Sequence, residues 1–121
     1  MAFHPGGDHL AALRDPQQLA IDLIENPEAV KKKLESSQEE FFKVYDIFYN
    51  ILRENDMPIT SWLPLIHDGR YYIPSNDFSC MISPKMFNEF FLPGIIAECK
   101  FYERSIYHLD GPGALKHLDA I

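Results

Sequence analysis

With 121 residues, of which 46% are hydrophobic and 13% aromatic, the chain has the composition of one globular domain and not of a disordered segment. Eighteen acidic against eleven basic residues give a net charge of −7, which argues against a nucleic-acid or anionic-membrane surface. The two cysteines, Cys80 and Cys99, show no metal or disulfide-framework spacing, so a reduced, cytoplasmic setting is expected.

The N-terminus lacks the charged and apolar regions of a signal peptide, and no apolar run approaches the ~20 residues that span a bilayer. Residues 1–14 are punctuated by Gly and Pro, with one helical turn expected over His9–Arg14. Asp15-Pro16-Gln17-Gln18 reads as a helix start, with Asp15 as cap, Pro16 at the first helical position and Gln18 placed for a capping box. That helix should end near Glu25, because Pro27 disfavours helical geometry at Asn26. Asn26-Pro27-Glu28 then opens the longest element. Val30, Leu34, Phe41, Tyr45, Phe48 and Leu52 fall on one helical stripe up to about Asn55, a rod on the order of 40 Å long. Within it, Lys31-Lys32-Lys33 reads as a solvated face.

Pro58–Pro64 is a short strand bounded by prolines and carrying Trp62. A loop of about a dozen residues, Leu65–Asn76, follows, of the length that more often serves function than accident. Asp77–Ile82 reads as a second strand or an extended approach to a helix. Ser83-Pro84 supplies an N-cap and first-turn proline for a helix bearing Phe87, Phe90, Phe91, Ile95 and Phe101, kinked at Pro93-Gly94. Ser105–Leu109 is the next strand, and a helix begins at Gly113.

At the end of that strand, period-two alternation points His108 and Asp110 to one side, and Asp77 offers a further carboxylate to the same cleft. On the long loop, Arg70, Tyr71 and Tyr72 pair a cation with two phenols, a set suited to an anionic substrate; Trp62 is a core residue or a ligand platform. The strand–helix alternation points to α/β architecture, a parallel sheet with crossover helices and open edges that a second copy of the chain would cover.

Three stretches carry a resemblance. Gly6–Arg14 with Ile21–Val30, then Ile82-Ser83-Pro84-Lys85-Met86-Phe87-Asn88-Glu89-Phe90-Phe91-Leu92-Pro93, then Tyr107-His108-Leu109-Asp110-Gly111, resemble in order and spacing the uroporphyrinogen decarboxylase superfamily, closest to its cobalamin-dependent methyltransferase-like branch. The resemblance implies an incomplete (β/α)8 TIM barrel, central βα units only, with a long N-terminal helix pair, as one partial domain over residues 1–121. It implies corrinoid-linked methyl transfer in an intact parent, with the corrinoid supplied by a partner protein. It further implies zinc at the His-x-Cys-Gly position of that branch. Here His108 matches the histidine and Asp110 stands in place of the cysteine, an oxygen ligand zinc accepts but a harder one than thiolate. Three readings of His108 and Asp110 are therefore open: metal ligands, a hydrogen-bonding pair for substrate, or structural polar groups at a strand end. The rivals to an enzyme fragment are a non-catalytic assembly module and a degenerate small-molecule binding protein.

Overall fold

A computed structural model describes residues 4–121; the leader-free reading of residues 1–3 lies outside them. Three helices come first: α1 (Gly7–Arg14), α2 (Pro16–Glu25) and α3 (Pro27–Glu54). Asp15 holds φ at +81° between α1 and α2, and its carboxylate accepts from the N–H groups of Gln17 and Gln18 at 2.9 and 3.2 Å. This satisfies donors that a helix start leaves without partners. Gln18 does not complete a capping box; its amide donates to Asp22 instead.

The 28 residues of α3 bury Val30, Leu34, Phe41 and Tyr45. The expected stripe holds as far as Tyr45, and Leu52 beyond it is half-buried. Between them Phe48 is exposed, and with Val44, Ile47 and Ile51 it forms an uncovered apolar row. Lys32 and Lys33 are solvated as expected, while Lys31 is half-buried, 5.3 Å above the Phe90 ring and paired with Glu89.

Two short sheets follow. Strands β1 (Ile59–Thr60) and β2 (Ile66–His67) form an antiparallel hairpin. Strands β3 (Tyr71–Tyr72) and β4 (Arg104–Ser105) pair in parallel, and a further bridge joins Ser75 to His108. Between β3 and β4 the chain passes through a 3-10 segment (Asp77–Met81), α4 (Pro84–Met86), a π-helical segment (Phe87–Phe91) and α5 (Leu92–Phe101). A 3-10 helix (Pro112–His117) closes the chain where an α-helix was expected.

The expected α/β barrel segment is therefore corrected. Helices dominate, and the described residues contain one parallel pair of strands and no barrel arc. One residue accounts for much of the difference. The Asp8 carboxylate accepts from the N–H groups of Asp77 and Phe78 at 3.0 and 2.8 Å, taking the donors a strand over Asp77–Ile82 would have used in a ladder. That segment coils into a 3-10 turn and buries Phe78 and Ser79.

Ser83 caps α4 as expected, accepting from the N–H of Met86 at 3.3 Å. The break expected at Pro93-Gly94 falls one turn earlier. The N–H of Leu92 reaches back to the carbonyl of Phe87, a π-type bond that accommodates the ring and missing donor of Pro93. The main core joins α1, α2, the first half of α3 and the π segment through residues such as Leu19, Leu34, Phe87 and Phe91. A second, aromatic cluster gathers Phe41, Tyr45, Tyr72 and Tyr102.

Candidate functional site

Two neighbouring regions meet at the C-terminal end of the parallel pair. The first is the strand end itself. The N–H of His108 donates to the carbonyl of Pro74 at 2.9 Å, and the Ser75–His108 bridge sets the imidazole beside the turn that follows β3. His108 Nδ1 lies 3.7 Å from Asp77 Oδ1, beyond hydrogen-bonding range but within reach of an ion pair. The Trp62 ring meets the imidazole edge-on at 4.9 Å between centroids.

Charge concentrates there. Partial burial, with Asp8 and then Asp110 adding like charge, raises the Asp77 pKa; His108 and His4 oppose that rise. Burial lowers the pKa of His4, against the pull of Asp8 and Asp77. His4, Asp8, Asp77, His108 and Asp110 thus share one electrostatic neighbourhood. Among the described residues no group of three or more His, Cys, Asp or Glu side chains is arranged to hold a metal ion. The donors there are the nitrogen of His108 and the oxygens of Asp77 and Asp110, where the resemblance implies a thiolate beside the histidine.

The sequence-derived residues divide. The fold brings His108, Asp77 and Trp62 together. Asp110 is exposed, because the ladder ends at His108 and alternation no longer governs the chain beyond it. Arg70 is engaged elsewhere: it donates to Asp46 at 2.9 and 3.1 Å and lies over the Tyr49 ring at 4.8 Å. Tyr71 and Tyr72 are buried, 3% and 1% exposed, Tyr72 in the aromatic cluster and Tyr71 with Ile59 and Ile73. The Tyr45 hydroxyl clamps Tyr71 by donating to its carbonyl at 2.8 Å and accepting from its N–H at 2.9 Å. Burial pushes the Tyr45 phenol up to about 12, which keeps it a neutral donor.

The second region is a cavity of about 210 Å³ between α3, α5 and the residues that follow β3. Asn76 and Glu98 line it, and each is 3% exposed. Asn76 Nδ2 and Oδ1 and Glu98 Oε2 are buried without a hydrogen-bond partner. Burial first, and the Asp8 charge second, push the Glu98 carboxyl up to about 8, so it carries a proton at neutral pH. Phe90, Phe91, Leu34 and Ile95 supply apolar wall, and the partly exposed Lys31–Glu89 pair, 3.0 Å apart, lies on the lining as well.

Gly7 matters to this arrangement. A Cβ there would stand 2.3 Å from Asn76 Oδ1, so only glycine lets α1 approach the amide this closely. Sequence reasoning missed Asp8, Asn76 and Glu98. The Gly6-Gly7 pair before Asp8 was a signal of close backbone approach, and a lone glutamate in the apolar stretch Pro93–Cys99 was a signal of a buried carboxyl.

Compared with known proteins, the chain matches no family model, no curated protein and no solved structure. Among the described residues no helix is long and apolar enough to cross a membrane.

Proposed function

We propose that this chain is a small-molecule binding protein whose ligand occupies the cavity lined by Asn76 and Glu98. The observation that carries the reading is the set of polar atoms left without partners on two side chains buried to 97%. A buried polar group without a partner costs roughly 1–3 kcal/mol, so folded proteins seldom keep several in one place unless something else meets them. A concave, mostly apolar space with a few convergent polar groups has the form of a ligand site. The test is a thermal-shift screen of uncharged, cationic and anionic fragments against the native chain and Leu34→Phe, whose larger ring fills the cavity. Stabilisation of the native chain that Leu34→Phe abolishes is the expected result. Fragments that stabilise neither protein, or both equally, contradict the reading.

A second reading follows the resemblance: methyl transfer in an intact parent, with a corrinoid-carrying partner. The His108–Asp77 pair, 3.7 Å apart beside the parallel strands, is what favours it. Native mass spectrometry after zinc addition tests the metal it calls for. A zinc adduct lost in His108→Ala supports this reading; an adduct-free spectrum, or one indifferent to His108→Ala, removes it.

A further inference from the structure

The second half of α3 carries a face that the fold leaves bare. Val44, Ile47, Phe48 and Ile51 recur at the spacing of one helical face and are between 37% and 58% exposed. Single exposed apolar side chains are ordinary on a folded protein, whereas a contiguous row is the pattern of a face that another surface covers. The core does not use it. Phe41 and Tyr45 turn toward Tyr72 and Tyr102, while Tyr49 and Leu52 pack beside Ile59, Tyr71 and Ile73. None of the four row residues lines the cavity.

The charges beside the row specify what covers it. Lys43 stands about one turn before Ile47 and Glu54 about two turns after it, so both border the row on its Ile47 side. Both are exposed, and Glu54 has no ionic partner among the described residues. Lys43 pairs with Glu40 of its own helix at 2.8 Å, a contact open to water that constrains it little. The midpoint between Lys43 and Glu54 falls within about one residue, ~1.5 Å along the axis, of the middle of the row. A two-fold axis through that point, perpendicular to α3, lays the row of one copy antiparallel on the row of a second. It also sets Lys43 of each copy opposite Glu54 of the other. Parallel pairing would instead bring Lys43 against Lys43 and Glu54 against Glu54, and like charges on those flanks oppose it.

A contact along about four turns of α3 buries on the order of 1,000 Å² over two copies, the lower edge of specific interfaces. It has an apolar centre and a charged rim, and its size suits reversible association.

We propose that the chain forms a reversible two-fold dimer by antiparallel packing of α3 on α3, with Val44, Ile47, Phe48 and Ile51 as the shared seam and Lys43–Glu54 pairs setting its direction. The dimer does not depend on the cavity or on what fills it.

The experiment is sedimentation equilibrium of the full chain in about 0.15 M salt, which screens the net charge of −7 beyond about 8 Å. The native chain should pass from monomer to dimer with a dissociation constant on the order of 100 µM. Phe48→Asp should weaken association at least about tenfold, and Ile51→Asp should do the same. Both sites are exposed, so both variants should keep the native melting temperature. Ile24→Asp, which removes a more exposed apolar side chain from α2, should leave the dimer intact. Lys43→Glu should weaken association about fivefold, and adding Glu54→Lys to it should restore the native value to within about twofold.

A native chain still monomeric at about 1 mM overturns the dimer. A dimer that ignores Phe48→Asp and Ile51→Asp, or that yields to Ile24→Asp, uses a different face. Lys43→Glu without effect, or with an effect that Glu54→Lys does not reverse, rules out the antiparallel register.

Discussion

The strand end around His108 and the cavity around Glu98 are neighbours with opposite characters. At the strand end the side chains are half-exposed and have partners: Asp77 faces His108, Trp62 covers its edge, and Asp8 is saturated by backbone donors. In the cavity Asn76 and Glu98 are almost fully buried, and Asn76 Nδ2 and Oδ1 and Glu98 Oε2 have none. Water weakens a charge pair in the first region, whereas in the second each unmet atom carries its full desolvation cost. A constellation that looks catalytic in the sequence can therefore matter less to the molecule than a single buried acid.

The contrast can be broken or sharpened by measurement, beginning with Glu98. The unfolded chain releases this proton near 4.5, while the folded chain keeps it to about 8, so stability falls as pH rises through that window and levels off above it. The loss is on the order of 5 kcal/mol as an upper figure. Thermal unfolding across the range should show this decline in the native chain, and Glu98→Gln should remove most of it.

Asp8→Ala comes next. It strips the acceptor from two backbone N–H groups and should cost roughly 2–3 kcal/mol in urea unfolding, because both regions depend on the turn that Asp8 holds. Gly7→Ala should cost about 1 kcal/mol, the clash with Asn76 being partly offset by better helix propensity. It should also abolish ligand-induced stabilisation. The smallest effect belongs to His108→Ala: its partner Asp77 is more than half exposed, so stability should change by no more than about 0.5 kcal/mol. A large loss there would reverse the ranking of the two regions.

Local chemistry was legible where it decides structure by itself. Asp15-Pro16, Asn26-Pro27 and Ser83-Pro84 mark the starts of α2, α3 and α4 to the residue. The strand expected at Ser105–Leu109 is present in part, as β4 and the bridge at His108, and its neighbourhood with Asp77 holds. The barrel did not follow, because the fate of Asp77–Ile82 depends on Asp8, about 70 residues away in sequence, and alternation within a segment carries no trace of such a competitor. Tyr71 and Tyr72 misled for a related reason. In a polar loop they resemble binding residues, and only the approach of Tyr45 from α3 shows them to be core. The cavity was invisible because its lining comes from α1, α3, α5 and the turn after β3, which no spacing rule connects.

The most direct test is a carbon-13 NMR titration of the Glu98 carboxyl in the ligand-free native chain, assigned by its loss in Glu98→Gln. A midpoint near 8 is the result that a buried acid without a partner requires. A midpoint near the ordinary value of 4.5 would mean that Glu98 is solvated or paired, and the cavity would no longer hold the unmet carboxyl on which its ligand reading stands.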